Sequence, residues 1–155
     1  SLQENVALGL PQDKAKVESA LRRVCFGDRL DRLNNGVDTA VYKNFDAEGF
    51  EPSGGESQKI AMARALYKNA PVFVLDEPTA ALDPRAEFEI YQHFNELVEG
   101  KTTIYISHRL SSTKFCDKIA VFDHGHIVEY GTHDELMKKK GKYAELFKMQ
   151  AQFYI

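Results

Sequence analysis

Val17, Leu21 and Val24 recur among charged neighbours at the spacing of one helical face, while Gly27, Asn35 and Gly36 interrupt the pattern. This predicts a polar, helical subdomain over about residues 10–52. Ser53 then opens an Ala-rich stretch that reads as a helix to about Lys68. Periodicity stops at Val72-Phe73-Val74-Leu75, an apolar run bounded by Pro71 and Pro78, which predicts a short strand buried on both faces of a parallel sheet. Asp83-Pro84 supplies an N-cap and a first-turn proline for a helix ending before Gly100, with Phe88, Tyr91 and Val98 as its core face. Thr103 to Ile106 reads as a second buried strand, so strand, helix and strand form a right-handed parallel crossover. The fold class is α/β. Downstream, Lys118 to Phe122 and Ile127 to Tyr130 flank the turn His124-Gly125 as a hairpin. Thr132 and Glu135 then form a capping box, and Lys142 to Tyr154 reads as a closing helix.

Composition narrows this picture. The 155 residues, 43% hydrophobic, suit one domain or a large part of one. Lys and Arg total 20 against 23 Asp and Glu, a net charge of -3 that carries no nucleic-acid footprint. The longest apolar stretch, Ala70 to Leu75, is far short of the ~20 residues of a membrane span, so any membrane role runs through a partner. Cys25 and Cys116 fit neither a disulfide framework nor a Cys-x-x-Cys site, which favours a reducing, cytosolic setting. Ser1 to Gly9 shows no initiator Met and no signal-peptide pattern, and the chain reads as starting within a domain.

Two segments carry candidate chemistry. The apolar strand delivers Asp76 and Glu77 to its C-terminal edge, where ligands bind in open α/β sheets. The pair looks like a Walker B motif, a resemblance that implies Mg²⁺ held through water at Asp76 and a general base for an attacking water at Glu77. Ser53-Gly54-Gly55-Glu56 opens a helix whose first amides and dipole attract an anion such as phosphate. Each segment alone also has a plain structural reading, as a capping residue, a turn or a solvated carboxylate. His124 and His126 are explained by the hairpin turn rather than by a metal.

Taken together, these segments resemble the ATP-binding cassette (ABC) ATPase family. Ser53 to Glu56 is similar to its signature motif, Asp76-Glu77 to Walker B, Ala81-Leu82-Asp83 to the D-loop, and Ile106-Ser107-His108-Arg109 to the switch-histidine loop, in the family's order and spacing. Glu4 to Gly9 looks like the segment after the Q-loop of exporter-type domains, and Gly125 to Met137 like their closing hairpin and helix. The resemblance implies a partial P-loop NTPase core over residues 1–155. The helical subdomain lies at about 10–52, and the signature helix, Walker B, D-loop, switch histidine and C-terminal elements lie at 53–155. Pro52 and Glu56 depart from the usual Leu and Gln of the signature, and Glu56 puts negative charge near a triphosphate. The loop Thr39 to Gly49 also departs from the drug-exporter pattern, and its Asp46 and Glu48 read as part of a solvated loop.

No segment satisfies G-x-x-x-x-G-K-[ST]. Gly100-Lys101-Thr102 comes nearest, but it follows a helix and leads into a strand, the reverse of a P-loop, and reads as a helix C-cap with its basic residue at the dipole's negative end. The resemblance implies that two cassettes stack head to tail around ATP and Mg²⁺. Ser53, Gly54, Gly55, Glu56 and Asp83 would then face nucleotide, with Asp76 as the metal residue and Glu77 and His108 catalytic. It further implies transmembrane domains as partners, a place at the cytoplasmic face of the membrane, export as the coupled process, and no ATP turnover by the chain alone. Two other readings remain beside it: the C-terminal lobe of a chromosome-maintenance or DNA-repair ATPase, and a non-catalytic module supplying the signature in trans. Strands without neighbours should leave apolar faces and open edges that favour association.

Overall fold

The computed structural model describes residues 1–44, 46–98 and 100–152. It divides into two units, Ser1–Tyr105 and Ile106–Ile155.

The first unit begins with α1 (Leu2–Ala7), a helix the apolar pattern did not predict. Six residues are too few to persist on propensity alone. α1 is held by a capping box between Ser1 and Glu4, and by Leu2 and Val6, one turn apart and fully buried. α2 (Lys14–Arg23) is capped by Asp13 and buries Val17 and Leu21 as expected, with Val24 just beyond its end. The short α3 (Gly27–Leu30) and a 3₁₀ turn at Gly36–Asp38 follow. The next loop is tied rather than merely solvated: Tyr42 N–H donates to Phe50 O, and Phe50 N–H donates to Ala40 O. A Cβ on Gly49 would stand 2.8 to 3.2 Å from the carbonyls of Tyr42, Asp46 and Ala40, so only glycine closes this loop.

α4 (Gly54–Lys68) packs on α1 and α2 through Ile60 and Ala63. Arg64 donates from Nε to Asn5 O at 2.7 Å and from its terminal nitrogen to Asn5 Oδ1 at 2.9 Å, locking α4 to α1. Burying each of Leu2, Leu21 and Ile60 contributes about 1.5–3 kcal/mol of the driving force.

β1 (Val72–Asp76) and β2 (Thr102–Ile106) form a two-stranded parallel sheet among the described residues. Here burial on both faces, read from the apolar runs, is not seen, whereas the exposed apolar face expected of strands without neighbours is. Phe73 is 4% exposed, but Val72, Val74, Ile104 and Ile106 are 49%, 61%, 52% and 47% exposed. Among the described residues helices cover one side, where Met62, Leu66, Phe73, Leu75, Phe94 and Leu97 enclose a small apolar space.

The single helix expected between Asp83 and Gly100 is two, α5 (Pro84–Gln92) and α6 (Phe94–Leu97), broken at His93. Its inner face is Ile90, Tyr91, Phe94 and Leu97, while Phe88, expected in the core, is 60% exposed. At ~100° per residue, Phe88 lies roughly a quarter turn off the stripe that runs through Glu87, Tyr91 and Phe94. The P-loop-like Lys101 donates its ammonium to Asn69 Oδ1 at 2.7 Å and to Ala70 O at 3.3 Å, over the Phe73 ring. It therefore fastens the chain just beyond α4, not the end of the helix before it.

In the second unit, β3 (Ile119–Asp123) and β4 (His126–Gly131) form the expected antiparallel hairpin, with a bulge between Val121 and Phe122. His124 and Gly125 both have positive φ, 47° and 81°, which matches the right-handed twist of the strands. Thr132 and Glu135 make the predicted capping box of α7 (His133–Lys139), and α8 (Lys142–Ala151) follows. The expected extension of α8 to Tyr154 falls partly outside the described residues.

Gly141 gives α8 no side-chain cap. Instead the buried carboxylate of Glu129, on β4, accepts from Tyr143 N–H at 2.8 Å, with Lys139 Nζ 3.7 Å away. A side chain at Gly141 would occupy the space of that carboxylate. Glu129→Ala should therefore lower stability by about 1–3 kcal/mol in urea denaturation of the chain. Gly141→Ala should be destabilising in the parent and close to neutral in the Glu129→Ala background.

Candidate functional site

α4 begins at Ser53, which is exposed and extended (φ -63°, ψ 168°), as an N-cap requires. Its Oγ accepts from Glu56 N–H at 3.2 Å, and Glu56 Oε2 accepts from Ser53 N–H at 2.8 Å. The sequence pattern did not identify this capping box, although Ser-x-x-Glu is its signal. Glu56 is thus drawn onto its own cap, and it pairs with Arg29 at 3.0 Å. Among the described residues no acceptor takes the amides of Gly54 and Gly55, which point out from the start of the helix.

These two glycines face the segment that follows β1. A Cβ on Gly54 would meet Ala81 Cβ at 3.5 Å, and one on Gly55 would meet Leu82 Cδ2 at 3.1 Å and Ala81 O at 3.2 Å. Gly55 is therefore needed for close approach rather than for a positive φ. Gln58 fastens the same junction: its Nε2 donates to Glu77 O at 3.3 Å and its Oε1 accepts from Ala81 N–H at 2.9 Å.

β1 ends with Asp76 exposed, and Glu77 follows in the left-handed region at φ 47°. For a non-glycine residue this conformation costs of order 1–2 kcal/mol, and it turns the chain sharply at the strand's end. Ala80 N–H to Glu77 O and Leu82 N–H to Thr79 O, both 3.1 Å, close the turn. Asp83 then caps α5, its Oδ1 accepting from Arg85 and Ala86 amides at 3.0 Å each. The Ala86 amide, followed by that of Arg85, holds the Asp83 carboxyl below its ordinary range.

Beneath the turn lies a buried polar network that the apolar pattern did not reveal. Thr79 Oγ1 and Tyr91 Oη donate to Glu87 Oε1 at 2.9 and 2.6 Å, and Tyr91 Oη also lies 3.2 Å from Tyr105 Oη. Burial first, and then the neighbouring Glu87, push the Tyr91 phenol far above its usual range, so it stays a donor. The available signal was a carboxylate one helical turn before a tyrosine on the inner face of α5.

His108 lies in the second unit, exposed after β2. Gln150 on α8 donates to His108 O at 2.6 Å and accepts from Leu110 N–H at 2.8 Å, so both ends of one amide hold this loop. No group of three or more His, Cys, Asp or Glu side chains placed to hold a metal occurs among the described residues. The first unit thus brings Ser53 to Glu56 together with the segment after Asp76-Glu77. Asp83 is engaged at the head of α5.

A family model described as ABC transporter matches residues 1–80. The ATP-dependent lipid A-core flippase of Burkholderia orbicola is 43% identical over 148 residues, which is 96% of this chain and 24% of the flippase. That of Chromohalobacter salexigens is 44% identical over 149 residues, 96% of this chain and 25% of the flippase. A bacterial Atm1-family ABC exporter, solved with ATP bound, superposes with a TM-score of 0.85 at 38% identity, covering 97% of this chain and 26% of the exporter. The chain spans about a quarter of the length of these relatives.

The buried network gives a stability test. Tyr91→Phe keeps the ring but removes one of the donors to Glu87, and should cost about 2 kcal/mol in urea denaturation. Phe88→Ser, on the exposed side of the same helix, should change stability by less than about 0.5 kcal/mol.

Proposed function

Because the chain belongs to the ABC transporter family, we propose that it is the signature- and Walker B-bearing portion of a nucleotide-binding domain that couples ATP binding and hydrolysis to export. The observation that carries this reading is the junction in which Gln58 ties the exposed start of α4 to the turn after Asp76-Glu77. One element presents outward amides suited to a phosphate, and the other presents a strand-end carboxylate pair. Because they are fixed to each other, a change at one is felt at the other.

In this reading Asp76, a single exposed carboxylate, holds Mg²⁺ largely through water, in keeping with that ion's reluctance to lose its hydration shell. Glu77 takes the proton of the attacking water or orients it. Ser53, Gly54 and Gly55 meet the γ-phosphate of nucleotide bound by a second cassette in a head-to-tail dimer. His108 meets the γ-phosphate of nucleotide on its own side, its backbone steadied by Gln150. Asp83 acts by fixing the exit of the D-loop through its cap. Among the described residues no helix is long and apolar enough to cross a membrane. Coupling would run through transmembrane domains, with this portion at their cytoplasmic face. An exporter, rather than a chromosome-maintenance ATPase, is supported by the flippases and the exporter to which the chain is similar.

In the full-length protein, Glu77→Gln should lower ATP turnover by about 10²-fold or more while leaving ATP binding in place, as read by phosphate release and nucleotide-binding fluorescence. The 155-residue chain alone should show no turnover. Mg²⁺-dependent hydrolysis by that chain, lost on Glu77→Gln, would overturn the division of labour proposed here.

A further inference from the structure

Glu56 sits in the first turn of α4, beside the Gly54 and Gly55 amides. A carboxylate in the first turn favours the helix, but it also opposes any second anion that approaches the same amides. The structure shows how that conflict is handled. One carboxylate oxygen is bound to the Ser53 amide, and the other stands 3.0 Å from Arg29 Nε. Arg29 comes from α3, and its guanidinium lies over the Phe50 ring, 5.3 Å from the centroid. The Nε atom is closed off from solvent and makes no hydrogen bond, so its contact with Glu56 is Coulombic. With side chains 38% and 25% exposed, the pair is partly sheltered from screening.

We propose that Arg29 is a positioning residue for the turn at Ser53 to Gly55. It cancels the charge of Glu56 and holds that carboxylate on its own cap, so that the Gly54 and Gly55 amides keep a net attraction for the terminal phosphate of a nucleotide. The inference rests on the phosphate-facing reading of Ser53 to Gly55 given above. Arg29 itself touches no nucleotide and acts only through Glu56.

The test is a double-mutant cycle in the full-length protein, reading KM for MgATP and kcat separately. Arg29→Met keeps an apolar stem over Phe50 and removes the charge; it should raise KM about five- to tenfold with kcat changed less than about twofold. Arg29→Lys should raise KM less than about threefold. In a Glu56→Gln background, which keeps the capping box, Arg29→Met should shift KM by less than about twofold, because no charge remains to cancel. An equal KM shift in both backgrounds, or none in either, would overturn the proposal. Should Arg29→Met fail to fold, Arg29→Gln, which also removes the charge, decides the matter by the same comparison with and without Glu56→Gln. Ser53→Arg separates the two levels of argument. If it abolishes turnover while the Arg29 cycle is flat, only the role of Arg29 falls; if it leaves turnover intact, the phosphate-facing reading falls and the Arg29 proposal with it.

Discussion

The site depends on how near two stretches of backbone can come. A methyl group on Gly55 would stand 3.1 Å from Leu82 Cδ2 and 3.2 Å from the Ala81 carbonyl, so a neighbour would have to give by a few tenths of an ångström. That approach places Gln58 where its short amide reaches both Glu77 O and Ala81 N–H. Without it, the start of α4 and the turn after β1 would be two surface features joined only by the chain. With it they form one body, and the left-handed backbone of Glu77 is held in place by groups on both sides.

A second regularity is that irregular backbone is secured by side-chain amides and carboxylates rather than left to solvent. Gln58 and Gln150 each bind a carbonyl with one end of the amide and a nearby N–H with the other. Glu87 gathers the hydroxyls of Thr79 and Tyr91 beneath the turn. Polar groups at such positions would be costly if unmatched, so these residues define the shape of the loops as well as stabilise them.

Local signals were readable in the sequence, and long-range ones were not. Ser53, Asp83 and Thr132 announced their helices because capping is decided within four residues. The hairpin was equally legible, since Gly125 and the alternation around it act locally. α1 was missed because it is short and depends on the burial of Leu2 and Val6 against distant helices. Val72 to Leu75 announced a strand but not its covered faces: an apolar run states what a strand can tolerate, while the layers present decide what it receives, and here one apolar face stays open as expected of strands without neighbours. Phe88 was assigned to the core with Tyr91 and Val98, but the stripe that packs inward runs through Ile90, Tyr91, Phe94 and Leu97 and leaves it exposed. At the site, the residue types at Ser53, Asp76 and Glu77 were apparent. Their fasteners, Arg29, Gln58 and Glu87, were not, because each acts on a partner far along the chain or hidden beneath a loop.

The Glu129 carboxylate has a consequence for the order in which the second unit assembles. A helix that carries its own N-cap can nucleate from the residues nearest that end, whereas α8 must wait for a strand to deliver the missing acceptor. Hairpin and terminal helix are thereby made interdependent: a fluctuation that parts β4 from β3 also uncaps α8, and fraying of α8 exposes a charged group inside the hairpin's packing. The hairpin and α8 are joined at this contact, by the ion pair of Lys142 with Asp123, and by the packing of Tyr143 against Ile119, so disturbing one element should loosen the other.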